Sequence, residues 1–496
     1  MWITFFAEKR LTEFISKSKK EMSPAIRKIF LRIRGDDTII IRMRTQKKFW
    51  KLGRKECNTE VFDVNTDAEL IIREGNYQYN VHDLVRKFGS SLEIFLPFVV
   101  EERLNRLFTI FDRNMKQAGY RGKFFYHYPM KVNQNREAVL PLVSEGAHLE
   151  VGSHNELTLV RKLWESDSVN TKIRILCNGP KTKAYVDLIH HLAERSVRVV
   201  PIIEDASELD EFKEFKGDIG VRINLQTKVR SHWDKKADRF GLLADEIVEL
   251  GKIRNLKLLH YHIGSQIERG TDIIAAMKEA LHVYKKIREI NPSLDTLDIG
   301  GGFAIPYEKK PMYSLETVSK AMIATLKKLA DVWEMPHPNI VVEWGRHVIA
   351  PAQLTIFKIV SAKAVPKGLA KFWYIIDGSF MNDLLDTWAI HQKWHIVPVN
   401  RINDKKKHRV WLAGLSCDSD DKYTARDGYV SLPRLEDLNP GEDLYIAIFD
   451  TGAYQDAFAS HHCLLSSPLK LVLQNGIVTV ARKRETAEDI GKQFGW

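Results

Sequence analysis

Between residues 123 and 349, short apolar runs alternate with amphipathic stretches of helical period, and few folds tolerate that rhythm. The runs are KFFYHYPMKVN (123–133), AHLEVGS (147–153), KIRILCNG (172–179), VRVVPIIE (197–204), DIGVRINL (218–225), LKLLHYHIGSQ (256–266), LDTLDIGGGF (294–303) and NIVVEWGRHVI (339–349). Segments such as KTKAYVDLIHHLAERS and ADEIVELGKIRN read as the helices between them. Strands buried on both faces lose the apolar–polar alternation, as these runs do. Eight strand–helix units over about 230 residues predict a parallel (β/α)8, TIM-like barrel, an α/β fold.

After residue 350 the pattern changes. QLTIFKIVSAKAV, KFWYIID, RVWLAG, DLYIAIF and LKLVLQNGIVTVA are β-rich and separated by turn residues, with Asn-Gly at 475–476 as a hairpin signal. They predict a C-terminal all-β domain. A chain of 496 residues is long enough for two cores. The expected division is a basic extension over 1–60, a lead-in over 61–104 contributing to the β domain, the barrel over 105–350 and the β domain over 351–496.

Charge and cysteine usage narrow the function classes. The net charge is +11, yet residues 9–55 alone hold sixteen Lys/Arg against four Asp/Glu. The rest of the chain is close to neutral, so the basic arm reads as a solvated extension and implies no nucleic-acid function for the whole. No apolar run approaches the ~20 residues that span a bilayer, and MWITFFAEKR makes a poor signal peptide. Cys57, Cys177, Cys417 and Cys463 show no CxxC spacing, no disulfide framework and no zinc pattern. A reducing cytoplasm is the expected location, with no membrane partner.

In a barrel of this kind the chemistry sits at the C-terminal ends of the strands. Here those ends carry Lys131 and Asn133, Glu150, Asn178, Glu204, Arg222, His262 with Ser265, Gly300-Gly301-Gly302, and Glu343 with Arg346. Each has an ordinary alternative. A lysine at a strand end is usually solvated, whereas a Schiff-base lysine needs a walled pocket that lowers its pKa. Three glycines suit a tight turn, or backbone N–H groups approaching a phosphate. Glu343 ends an apolar strand, so its charge needs a partner; Arg346 is one candidate and a cofactor cation another. Cys417 precedes Asp418, Asp420 and Asp421, which form a solvated loop or a cation-binding one.

Taken together and in order, YPMKVNQNRE, HLEVGSHNEL, YHIGSQI, LDIGGGF, VVEWGRH, CDSDD and DTGAYQ resemble the fold-type III, alanine-racemase-like pyridoxal-phosphate decarboxylases. KVNQ, CDSD and SFMNDLLDTWAIHQKWHIVPV resemble the biosynthetic arginine decarboxylase branch. The likeness runs from about residue 65 to 475, across all the motifs. It departs from that branch in its shorter length and in Trp344, which stands where a small or Pro-like residue is common.

The resemblance implies pyridoxal 5'-phosphate as cofactor, with a magnesium ion admitted by family likeness alone, and a homodimer or higher homo-oligomer with shared active sites. It implies that Lys131 carries the cofactor and that His262 stacks on its ring and takes part in catalysis. Ser265, Gly300, Gly301, Gly302, Arg346 and Tyr454 would hold the phosphate. Glu343 would pair with the ring nitrogen, and Arg222 would lie near the phenolic oxygen. Cys417 would reach over from the neighbouring subunit as proton donor. Asp418 and Asp420 would accept the planar, permanently charged guanidinium of arginine. The expected reaction is decarboxylation of L-arginine to agmatine, a step of polyamine and spermidine biosynthesis. The alternatives are a sister decarboxylase acting on lysine, ornithine or diaminopimelate, and a non-catalytic carrier or regulatory relative.

Overall fold

A computed structural model describes residues 60–166, 172–229, 231, 239–307, 313–424 and 428–496. The basic extension expected over 1–60 lies outside the described residues except for Glu60.

Three short strands open the described chain: β1 (Phe62–Val64), β2 (Leu70–Glu74) and β3 (Tyr77–Asn80) form a small antiparallel sheet. The helix Val81–Phe88 starts on Asn80, whose side chain accepts from the N–H groups of His82 and Asp83. β4 (Leu92–Phe95) follows, then the helix Pro97–Ala118. Proline at its start lacks an N–H that has no intrahelical partner there anyway. Gly119 ends it at φ 65, a left-handed cap. This helix packs against the helix Leu315–Val332 on the outside of the barrel.

The barrel strands are β5 (Phe124–Pro129), β6 (His148–Val151), β7 (Arg174–Cys177), β8 (Arg198–Ile203), β9 (Ile219–Arg222), β10 (Leu256–His260), β11 (Thr296–Asp298) and β12 (Asn339–Val342). Each pairs in parallel with the next, and β12 closes on β5. Every strand falls inside one of the eight apolar runs. The strands are shorter than the runs because the run ends become loops that hold polar groups. NIVVEWGRHVI, for instance, leaves the sheet after Val342 and turns into the short helix Gly345–Ile349. Leu176, Val200, Ile202, Leu258 and Val341 form one buried cluster with Phe125, which fills the barrel interior as packed core.

The second domain holds β13 (Gln353–Ala364), β14 (Phe372–Ile376), β15 (Ile396–Pro398), β16 (Lys407–Ala413), β17 (Lys422–Tyr423), β18 (Val430–Pro433), β19 (Tyr445–Phe449), β20 (Leu469–Gln474) and β21 (Ile477–Arg482). Its sheet runs β17-β16-β14-β13-β4-β20-β21, with β19 also on β13, β15 on β19 and β18 on β16. β4, from before the barrel, lies between β13 and β20, from after it. β20 and β21 turn through Asn475 and Gly476 at φ 54 and 77, the pair of positive values a type I' hairpin requires. Among the described residues no helix is long and apolar enough to cross a membrane.

A buried ion cluster fastens this sheet to the barrel. Lys470 on β20 is fully buried and pairs with Asp456, with Glu93 at 3.3 Å and with Glu137 at 3.8 Å. Arg482 on β21 adds bonds of 2.8 Å to Glu93 and 2.9 Å to Asp456. Removing one member of such a cluster strands the others without compensation. Lys470→Ala is therefore expected to lower stability by about 3–5 kcal/mol. Denaturant unfolding checks this, and an unchanged midpoint would contradict it.

Candidate active site

A pocket opens at the C-terminal ends of the barrel strands. Pro129, Lys131, His262, Gly264, Ser265, Gly301, Gly302, Phe303, Glu343, Trp344, Gly345, Arg346 and Tyr454 line it. Pro129 ends β5, and the loops after β5, β10, β11 and β12 supply the others except Tyr454, which comes from the second domain after β19. Tyr454 is held there by its backbone: its N–H donates to the carbonyl of Val132 at 2.7 Å. Asn133 Nδ2 donates to the carbonyl of Gly452 at 2.8 Å, and Asn135 Nδ2 to Asp456 at 2.9 Å. The Lys131 turn is thus tied to the DTGAYQ segment of the same chain.

Lys131 Nζ lies 3.4 Å from Glu150, which is fully buried and also accepts from Asn178 Nδ2 at 3.0 Å. Burial alone would lower the Lys131 pKa, the setting a Schiff-base lysine needs. Glu150, Glu343 and Tyr454 outweigh burial and hold the ammonium above its ordinary range. A free neutral amine would require neutralising part of that negative field.

Glu343 sits in a buried group with His260 and Asp298. His260 Nδ1 is 3.0 Å from Asp298 and 3.8 Å from Glu343. Burial, then the charge of Asp298, pushes the Glu343 pKa well up, against the pull of His260. Burial also raises Asp298, offset by the Gly300 N–H and by a hydrogen bond from Glu343. Burial pushes His260 down to about 4. At neutral pH the imidazole is therefore neutral, and burial beside Asp298 disfavours the charged form of Glu343. A cation placed against Glu343 would reverse this by favouring the carboxylate. Arg346, the alternative partner for Glu343, bonds instead to Tyr307 at 2.9 Å and lies 3.5 Å from Asp386. Its guanidinium also covers the Tyr454 ring at 4.4 Å.

The glycine loop is shaped by close approach. A Cβ on Gly300 would lie 2.2 Å from the carbonyl oxygen of Tyr261, and Gly300 stands at φ 66. Gly302, at φ 106, would place its Cβ 2.8 Å from the Gly264 carbonyl. Two of the N–H groups expected at a phosphate are already used: Gly300 donates to Asp298 at 2.9 Å and Gly301 to His262 Nδ1 at 3.1 Å. The latter bond leaves the His262 proton on Nε2 and fixes the ring in the pocket wall.

Several residues singled out from the sequence stand elsewhere. Gly300 and Arg222 are not among the lining residues; Arg222 is buried behind them, paired with Glu204 at 3.0 Å and stacked on Phe240. Cys417, Asp418 and Asp420 lie outside this chain's pocket. Asp420 pairs with Lys422 at 2.9 Å, and Asp418 lies 3.7 Å from His462. Asp421 is a structural anchor, buried and accepting from Ser379 Oγ, Phe380 N and Ser416 N. Trp344 is buried against Phe303 and Phe111, which accounts for a large residue there. Sequence reasoning missed His260, Tyr307 and Asp386. His260 had a signal: it precedes His262 by two in an apolar strand, so the pleat points it into the barrel.

These groups fit pyridoxal phosphate. One end offers the Arg346 cation, whose buried Nε makes no hydrogen bond within the protein, beside glycine-lined loops and Ser265. The other offers Glu343, and Lys131 stands at the mouth. Magnesium fits less well. Among the described residues, the one group of three His, Cys, Asp or Glu side chains close enough to share an ion is His260, Asp298 and Glu343. It is fully buried and contains an imidazole, whereas Mg²⁺ demands an octahedral oxygen shell with water.

Comparisons with known proteins identify the family and the fold. Residues 102–350 match the family model described as "Pyridoxal-dependent decarboxylase, pyridoxal binding domain", just over half of the chain. The biosynthetic arginine decarboxylase of Bacteroides thetaiotaomicron is 25% identical, over 82% of this chain and 84% of that protein. The structure of the biosynthetic arginine decarboxylase of Campylobacter jejuni superposes with a TM-score of 0.76 at 20% identity, covering 88% of this chain and 91% of that one. Diaminopimelate decarboxylase from M. jannaschii, in complex with L-lysine, gives 0.74 at 24% identity, over 88% and 97%. At such identities the structural likeness speaks for the fold.

Proposed function

The chain belongs to the pyridoxal-dependent decarboxylase family, and we propose that it removes the α-carboxyl group of L-arginine, releasing CO2 and agmatine. One observation carries the reading: a single pocket gathers Lys131, His262, the glycine loops, Glu343, Arg346 and Tyr454 from strand ends far apart in sequence. Likeness to arginine decarboxylases over four-fifths of the chain supports the substrate.

The cofactor, when bound, supplies an aldehyde for the substrate amine and a ring that takes up the electron pair left by CO2. Lys131 provides the amine that holds it in place, and Glu150 orients that amine. Glu343 would keep a proton on the ring nitrogen of the bound cofactor by charge-assisted hydrogen bonding. His262, steadied by Gly301, presents its flat face to the ring. Ser265, Gly302, Arg346 and Tyr454 neutralise and position the phosphate, with Gly300 and Gly301 shaping the loop, and Arg222 supports the wall through Glu204.

By likeness to the family, Cys417 acts as the proton donor from a second copy of the chain; its place outside its own chain's pocket is compatible with that reading. Asp418, and Asp420 once it exchanges Lys422, accept the guanidinium. The free thiols of Cys177, Cys417 and Cys463 support a cytoplasmic setting.

A panel of arginine, lysine, ornithine and diaminopimelate tests the reading by CO2 release. Arginine is expected to give the largest kcat/KM, with agmatine as product. A larger value for any of the others would replace the substrate. Borohydride reduction of the loaded enzyme is expected to fix the cofactor on Lys131. Mass spectrometry finding it on another lysine would reject that assignment.

A further inference from the structure

We propose that Cys417 and Cys463 form a reversible oxidation site, in which a disulfide between them removes the proton donor. The inference that activity is lost rests on the donor role given to Cys417 above; the site itself does not.

The two residues are 46 apart in sequence, yet their sulfurs lie 3.3 Å from one another and both residues are exposed. A disulfide has an S–S length of about 2.05 Å, so closure needs an approach of about 1.2 Å. The proximity is built, since both loops are fastened to one segment, Ser379–Asn382. Asp421, at the end of the Cys417 loop, accepts from Ser379 Oγ at 2.9 Å and from Phe380 N at 2.8 Å. Asn382 Nδ2 donates to the carbonyl of His462 at 2.9 Å, beside Cys463, and its side-chain oxygen meets Ser460 Oγ at 3.1 Å. Ser379 Oγ joins the two anchors by accepting from the N–H of Asn382 at 3.1 Å. A site that arginine reaches also admits a small hydroperoxide.

The chemistry balances with a hydroperoxide as oxidant. One thiolate attacks the O–O bond, forming a sulfenic acid and releasing water or an alcohol. The second thiol attacks that sulfur, expels water and closes the S–S bond. Two thiols lose two electrons and two protons, and the peroxide takes them up. A dithiol reverses the step by exchange. Closure also spares Cys417 from further oxidation to the sulfinic acid, which dithiols do not reduce.

The test treats the holoenzyme with graded hydrogen peroxide. Expected are loss of two titratable thiols per chain, a Cys417–Cys463 linked peptide under non-reducing mass spectrometry, and more than tenfold loss of turnover. Dithiothreitol should restore nearly all activity. Cys463→Ser, outside the catalytic machinery, should keep basal turnover but lose it irreversibly under the same treatment, with Cys417 found as sulfinic acid. Absence of the linked peptide while Cys417 is oxidised would overturn the site, as would equal recovery of both proteins. A linked peptide with unchanged turnover would instead overturn the donor role and the control of activity with it.

Discussion

Glu343→Gln is expected to load cofactor and fold normally, yet to decarboxylate about a hundredfold more slowly, equivalent to about 2.7 kcal/mol of transition-state stabilisation. Burial and Asp298 raise the Glu343 pKa, so the site disfavours an uncompensated charge there. Glutamine has the shape of glutamate and keeps a hydrogen-bonding side chain. It can donate to Asp298 and accept from Asn178, which reaches the Glu343 oxygen at 3.4 Å. Folding stability therefore changes little. What glutamine cannot do is ionise when a cation arrives, so the proton on the ring nitrogen loses its counter-charge. The effect belongs on kcat, since the interaction strengthens as charge develops. Turnover at saturating arginine, measured with cofactor occupancy from absorbance, decides it. An unchanged kcat at full occupancy would remove Glu343 from the chemistry.

The barrel was legible because a parallel strand covered on both faces writes itself as an apolar run, and each of the eight runs contains one strand. Polar residues at the run ends then stood out as a set, and most of the pocket lining follows from them. The central position of β4 was not legible. Its partners β13 and β20 lie more than 250 residues later, and strand order across a chain interruption leaves no local pattern. Arg346 shows the same limit at the site. Glu343 is three residues away and seemed a natural partner, but the short helix after β12 turns the guanidinium toward Tyr307 and Asp386. The charge nearest Lys131, Glu150, was not legible from the lysine's own motif because it comes from the next strand. The cysteine pair escaped for a related reason: the segment that holds both loops, Ser379–Asn382, lies outside the span between them.

Lys131→Ala and Cys417→Ala are each expected to abolish nearly all decarboxylation as separate proteins and to recover it when their subunits exchange. The motive is the separation seen within one chain: Lys131 lines the pocket, while Cys417 stands exposed on the second domain, outside it. If a two-fold dimer brings the Cys417 loop of one copy to the Lys131 pocket of the other, each site draws on both chains. A mixed dimer then has one site with both functional residues and one with neither. At equal mixing about half of the dimers are mixed, each with one working site of two, so activity should reach roughly a quarter of wild type. Exchange is run with dithiothreitol present, which keeps Cys463 and Cys417 reduced and separates this test from the oxidation site. The Cys417→Ala protein alone should also release some aldehyde by-product, because the proton donor for the usual product is gone. Exchange can be followed independently with two differently tagged chains. If mixed dimers are isolated and remain as inactive as either parent, the site is complete within one chain and Cys417 is not its proton donor.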